Sequence, residues 1–291
     1  MNKKIQSLSI IISTYNWPSA LDLIISRLLM QIKAKSDLYG LNLIEIIIAD
    51  DGSSIETTNL INKYNKNITK INNVNIIHVW HEDLGFRKAE ILNKAIFKSS
   101  GDYLLFLDGD CIPFDDYILR HLSLAEESYF VAGNRIMLSS NFSTKILQNP
   151  SLINKIINWG FIDYFSAKYI HKHINKIFSF LRLSSNNFFR YLRSKNWRYP
   201  KGCNFAAWRN DLLNINGFDQ SFVGWGHEDS DLFIRLLHAN ILIKNGKCAV
   251  PVLHLWHKLA SRDRQSENYN ELMKRLQDTK FIRAIKGINS L

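Results

Sequence analysis

Asp102-Tyr103-Leu104-Leu105-Phe106-Leu107-Asp108-Gly109-Asp110 sets an apolar run against a turn that bears two carboxylates. Apolar side chains without alternation predict a strand from Asp102 to Leu107 covered on both faces, as in a parallel sheet. The glycine between the acids lets the backbone bend close to a ligand. Such a turn suits a hard divalent cation, Mg2+ or Mn2+, which commonly joins one or two carboxylates to substrate phosphates. Asp and Gly are also ordinary turn formers, so the tripeptide gains meaning only from its place in the chain.

Three similar units precede it. Leu8 to Ser13 runs into Thr14-Tyr15-Asn16, and Pro18 opens a helical pattern through Leu21, Ile24, Ile25, Leu28, Leu29 and Ile32. Leu43 to Ala49 closes on Asp50-Asp51-Gly52-Ser53 before a polar helix from Ile55 to about Tyr64. Val74 to Trp80 leads into His81-Glu82-Asp83 and a helix from Arg87 to Lys98. Strands alternating with helices predict an α/β fold with a mostly parallel central sheet flanked by helices. Ligands in such sheets sit at the carboxyl ends of the strands, and all four ends here are polar or acidic.

Downstream, Gly202 to Trp208 reads as a strand and Arg209 to Leu213 as a short helix. Gly224-Trp225-Gly226-His227-Glu228-Asp229 leads into a helix through Leu232, Ile234, Leu236 and Leu237. Acids in a first helical turn suit the helix dipole without any chemistry; an exposed Trp225 is what a helix start does not need. Cys248 to Leu253 reads as a last strand ending in His254-Leu255-Trp256-His257, and about Glu267 to Ile285 as an amphipathic closing helix.

With 46% hydrophobic residues, 5 Pro and 13 Gly, the 291 residues can bury a full core, which excludes a disordered or fibrous chain. Three scattered cysteines, Cys111, Cys203 and Cys248, argue against a disulfide scaffold or a structural zinc site. No signal-type segment is visible and no apolar run approaches the ~20 residues of a membrane span, so a cytoplasmic protein is expected, free or peripheral on the inner face of the membrane.

The formal charge of +11 is uneven: Lys145 to Lys201 holds eleven Lys and Arg against Asp163 alone. The same block carries Trp159, Phe161, Tyr164, Phe165, Tyr169, Phe178, Phe180, Phe188, Phe189, Tyr191 and Trp197, which read as exposed. This mixture suits a surface against anionic lipid headgroups. It equally suits a helical insertion whose aromatics form a local core and whose cations are solvated. A nucleic-acid patch ranks behind both, because no recognition motif accompanies the charge.

Through Ser9-Ile10-Ile11-Ile12-Ser13-Thr14-Tyr15-Asn16, Ile48-Ala49-Asp50-Asp51-Gly52-Ser53, Leu84 to Asn93 and Phe106 to Asp110, the chain resembles inverting nucleotide-sugar glycosyltransferases of family 2, with the GT-A fold. Asn216-Gly217-Phe218-Asp219 and Gly224 to Asp231 are similar to the acceptor-side motif of galactosyltransferases and chondroitin-polymerase-like enzymes, from which His227 is a departure. Only residues from about 140 to 200 and the final helix lie outside the match.

The resemblance implies one GT-A domain over 1–291: a nucleotide-sugar half at 1–140, a basic aromatic helical insertion at 141–200, an acceptor and catalytic half at 201–265 and a terminal helix at 266–291. It implies a UDP-sugar donor, with a lean to galactose or N-acetylgalactosamine, Mn2+ or Mg2+, a surface glycan or lipid-linked acceptor, and no nucleic acid. By position, Thr14, Tyr15, Asn16 and Asp51 would hold the base and ribose, with Asp50 supporting their loop and Arg87 on the donor side. Asp110 would bind the metal, Asp108 the ribose or the metal, and His254 would complete the site, with His257 as the alternative. Asp229 would be the base, Glu228 would bind acceptor hydroxyls, and Trp225 would give a sugar ring a flat apolar face. A nucleotidyltransferase and a non-catalytic nucleic-acid binder are the competing classes.

Overall fold

The structure is a computed structural model and describes residues 4–68, 73–177, 183–184, 187–258 and 262–291. Phe178, Phe180 and Arg182 of the basic block lie outside these residues. The first strand, β1 (Ser7–Thr14), pairs in parallel with β2 (Leu43–Asp50) on one side and with β4 (Tyr103–Asp108) on the other. Beyond β2 lies β3 (Val74–Trp80), also parallel. Helices α1 (Pro18–Tyr39), α2 (Ile55–Ile68) and α3 (Lys88–Lys98) form the crossovers. Ile10, Ile12, Ile46 and Ile48 pack on the face that meets α1, while Ile11, Ile47 and Ala49 pack with Ile91, Leu92 and Ala95 of α3. Both faces are covered, which is why these strands are apolar without alternation.

The sheet continues past β4 through β8 (Asn204–Trp208), antiparallel, then β6 (Tyr129–Ala132) and β9 (Leu242–Asn245), in the order β3-β2-β1-β4-β8-β6-β9. Strands from both ends of the chain therefore share one layer. A second, three-stranded sheet sets β10 (Pro251–His254) between β5 (Cys111–Pro113) and β7 (Asn134–Met137). Its register puts His254 opposite Cys111, beside the acidic turn.

Some boundaries differ from the sequence expectation, among them those of the last strand and the closing helix. The last strand starts at Pro251, because Gly246 to Val250 forms a turn in which the N–H groups of Ala249 and Val250 both donate to the Gly246 carbonyl. The closing helix, α10 (Gln265–Gln277), stops short of Ile285. The backbone N–H of Ile285 instead donates to Asp219 and that of Asn289 to Asn216, which pins the tail onto the 216–219 loop.

Among the described residues, the α-helices of the insertion are α5 (Ser140–Gln148), α6 (Leu152–Ile157) and α7 (Phe161–Tyr169), with a short 3-10 turn at Phe188–Tyr191. After α7 the chain returns to the small sheet by a bridge between Ile174 and Leu138. Its aromatics also divide. Tyr164 is 1% exposed and packs with Trp159, which stacks on Phe142, whereas Phe161, Phe165, Tyr169, Phe188, Phe189 and Tyr191 are exposed.

Candidate active site

The carboxyl ends of β1 and β2 are knitted together by backbone and side-chain hydrogen bonds. The Asp51 N–H donates to the Thr14 carbonyl (3.0 Å), and the Asn16 N–H to Ser53 Oγ (2.8 Å). Asn16, at φ +46°, returns the contact by accepting from the Ser54 N–H (2.9 Å). Asp50 is fully buried beneath this loop, accepting from the Ser53 N–H (2.8 Å) and meeting His78 Nε2 (2.9 Å). Asp51 meets His81 Nε2 (2.7 Å) and accepts the Arg87 N–H (3.0 Å), and burial raises its pKa. The exposed Tyr15 donates its hydroxyl to Asp83 (2.9 Å). Trp80 at the end of β3, which sequence reasoning did not single out, exposes a second ring there. Two aromatic faces above bonded carboxylates suit the stacking of a planar heterocycle.

Arg87 and Lys88 part company at the start of α3. The Arg87 guanidinium is taken by Glu90 (3.2 Å) and the Glu82 carbonyl. Lys88, absent from the sequence-derived candidates, reaches Asp108 instead: its Nζ lies 2.7 Å from Oδ1, which also accepts the Ser13 hydroxyl at 2.7 Å. Burial opposes the Lys88 charge, but Asp108, Asp229 and Glu228 outweigh it and hold the ammonium well above its ordinary pKa.

The turn after β4 needs Gly109, since a Cβ there would fall 2.8 Å from the Ser13 carbonyl. It directs Asp110 away from Lys88 and toward the small sheet. Asp110 Oδ2 lies 3.0 Å from His257 Nε2 and 3.5 Å from His254 Nε2. His254 is buried and its Nδ1 faces the Leu255 carbonyl (2.9 Å); a proton donated there leaves the Nε2 lone pair toward Asp110. Burial also lowers the His254 pKa, which favours that neutral ring. A carboxylate with one or two imidazoles fits a divalent ion, and the nitrogen donors suit Mn2+ better than Mg2+.

Cys111 joins this group: ligand atoms of Asp110, Cys111 and His254 lie within 4.8 Å of one another. The register of β5 against β10 brings it there, and no sequence spacing announced it. Burial pushes the Cys111 thiol well above its ordinary pKa, so it stays protonated and makes a poor ligand for a hard cation.

Across from these groups α9 (Glu228–His238) begins. The chain reaches it through Gly224, Gly226 and His227, all at positive φ, with His227 at +74°. A non-glycine residue held there carries strain on the order of 1 kcal/mol. Glu228 is buried and accepts the Gly226 N–H (3.1 Å); burial, then Asp229, push its pKa to about 7. The Gly202 N–H bonds the Asp229 carboxylate, and Gly202 must be glycine, because a Cβ would fall 1.8 Å from Oδ2. Asp229 Oδ1 is buried without a hydrogen-bond partner, and burial raises the carboxyl, opposed by Lys88 and aided by Asp108. A buried acceptor left open within reach of the Asp108 and Lys88 charges is a place where a hydroxyl can donate.

The remaining acids of the motif do something else. Asp231 and Asp219 are fully buried and share the Arg275 guanidinium, 2.9 Å from each, while Arg235 takes the other Asp231 oxygen at 2.8 Å. They lock α9 to α10 and to the 216–219 loop. Asn93 of α3 exchanges two 2.8 Å hydrogen bonds with the Phe218 backbone and so ties that loop to α3. Trp225 is partly exposed at the approach to α9, with the Arg262 guanidinium 5.0 Å from its ring centre.

The family model described as glycosyl transferase family 2 matches residues 9–200, about two thirds of the chain and the carboxyl ends of β1 to β4. The chain belongs to glycosyl transferase family 2. A second model, described as the N-terminal domain of galactosyltransferase, matches residues 184–258, which hold Glu228, Asp229 and His254. Among relatives of this family 2 member, validoxylamine A glucosyltransferase of Streptomyces hygroscopicus subsp. limoneus is 25% identical over 244 residues, 80% of this chain and 48% of that protein. Chondroitin synthase of Escherichia coli is 24% identical over 80% of this chain and 32% of its own length. This chain thus spans about half or less of these two relatives. Among solved structures, a mannosyltransferase from Pyrobaculum calidifontis in complex with GDP-Man and Mn2+ superposes with a TM-score of 0.54 at 12% identity, covering 95% of this chain and 71% of that one. S. aureus TarS 1-349 gives 0.54 at 13%, covering 98% and 68%. Both likenesses show the GT-A fold.

Proposed function

We propose that this glycosyltransferase moves a hexose or N-acetylhexosamine, galactose or N-acetylgalactosamine first, from a UDP-sugar to a hydroxyl of a surface-glycan acceptor, with inversion. The observation that carries the reading is Lys88, whose ammonium bonds Asp108 at the end of β4 and feels the charges of the Glu228 and Asp229 pair of α9. Thr14, Tyr15, Asn16, Asp50 and Asp51, with Trp80, form the uridine end of the cleft. Asp110 and His254, with His257 against the same carboxylate oxygen, would hold Mn2+ or Mg2+. The ion, when bound, supplies positive charge for the departing diphosphate.

The chain's own residues supply the rest. Asp229 accepts the proton of the attacking hydroxyl at its open Oδ1, and the Gly202 N–H fixes the carboxylate. Glu228, neutral below about pH 7, can donate to an acceptor oxygen, so the two acids need not carry charge together. Lys88 stabilises the anionic form of its neighbours and adds positive charge beside the leaving group. Trp225 offers its ring face to the acceptor sugar. Family membership and the intact acid pair set the nucleotidyltransferase alternative aside.

The test is a screen of UDP-sugars with Mn2+, read by release of UDP and by the anomeric configuration of the product. Transfer with inversion from one UDP-hexose or UDP-N-acetylhexosamine supports the reading. Retention of configuration, or turnover restricted to guanosine or thymidine diphosphosugars, contradicts it.

A further inference from the structure

We infer that the outer face of α7 is a docking surface for an anionic lipid bilayer. Phe161, Phe165 and Tyr169 recur every four residues, which places them on one helical face, and their rings touch in sequence at 6.2 and 4.7 Å between centres. Phe161 is 58% exposed, Ile162 80% and Ile170 68%. Solvated chains scatter such residues singly; a contiguous set marks a contact surface.

The charges around the set decide which contact. Lys168 lies 4.8 Å from the Tyr169 ring centre, Lys172 is exposed just past the end of α7, and Lys155 is exposed on α6. The one acid of the block, Asp163, turns its carboxylate onto the Gly160 N–H (2.8 Å), where it serves the start of α7. Exposed aromatic side chains with lysines on the same stretch, whose one acid is engaged at the helix start, match an anionic leaflet. Pairing with a second copy of the same face would set lysines against lysines.

The opposite side of α6 and α7 shows why the surface would matter. Ile153, Ile156, Tyr164 and Ala167 share a core with Leu253 and Leu255, which flank His254. A bilayer under α7 is thus fixed relative to the metal end of the cleft, as a lipid-anchored acceptor requires. The surface stands independently of the reaction proposed above.

The experiment is sedimentation of the full chain with vesicles of phosphatidylcholine, alone or mixed with phosphatidylglycerol. Wild type should bind the mixed vesicles only, and less as salt is raised. Phe161→Ser with Phe165→Ser should weaken partitioning by about tenfold or more, and Lys168→Gln and Lys172→Gln by about fivefold each. Ile162→Ser, at the most exposed position, should weaken it with the melting temperature unchanged. UDP-sugar hydrolysis in solution should be unaffected, which separates this proposal from the catalytic one. Failure of wild type to sediment with the mixed vesicles overturns it. So does loss of binding in Phe188→Ser with Phe189→Ser while the α7 variants still bind, or a dimer in solution that the α7 variants abolish.

Discussion

Two acids on one helix, Asp229 and Asp231, stand two residues apart in α9 and meet opposite surroundings. Asp231 is fully buried and gripped by two guanidiniums, while Asp229 has one backbone donor and an open, buried oxygen. A half turn of helix separates a carboxylate that holds the fold from one left free to take a proton. Partners, not residue type, distinguish the acid that holds the fold from the one for which a chemical role is proposed.

The sharpest way to break that contrast is Asp229→Asn. Transfer should fall about 10²- to 10⁴-fold, with a melting temperature no lower than wild type, since a partly satisfied buried charge is removed. A stable variant that still transfers would make Asp229 another structural acid. Arg275→Ala should do the reverse, costing about 3–5 kcal/mol because two buried carboxylates lose their shared partner. Denaturant melts measure it, and an effect within error would remove the structural half of the comparison.

Glu228 gives the pH test. Its pKa rises from 4.5 to about 7 on folding, so the native state binds a proton that the unfolded chain releases across that window. Stability contributed by the neutral form is therefore full below about pH 4.5 and lost as pH rises toward 7, by on the order of 3 kcal/mol. Glu228→Gln should lack that decline; identical pH slopes in wild type and variant would place the proton elsewhere. The smallest effect is at His227: His227→Gly should gain about 1 kcal/mol by relieving the left-handed backbone, with KM for the acceptor as a second readout of the loop.

The parallel half of the fold was legible because β1, β2 and β4 carry long apolar runs, and so was the cluster of polar strand ends that the fold gathers. The small sheet was not: β5, β7 and β10 are three or four residues long, too short for any period, and only their register brings Cys111 to His254. Lys88 was missed because adjacent cations at a helix start point about 100° apart, and the sequence does not say which one enters the cleft. Among the aromatics, Phe161, Phe165 and Tyr169 at four-residue spacing and Tyr164 with Ala167 on the other face form a helical pattern. It was obscured because every position of α7 but Asp163, Ser166 and Lys168 is aromatic or aliphatic.

In the proposed reaction the turn after β4 holds the ion and the start of α9 takes the proton. Mn2+ binding in the presence of UDP, measured by titration calorimetry beside transfer assays on Asp110→Asn and Asp229→Asn, tests this division directly. Asp110→Asn should lose both metal binding and transfer, and Asp229→Asn should bind Mn2+ and UDP as wild type does but not transfer. Wild-type Mn2+ affinity in Asp110→Asn, or transfer at the wild-type rate in Asp229→Asn, would contradict it.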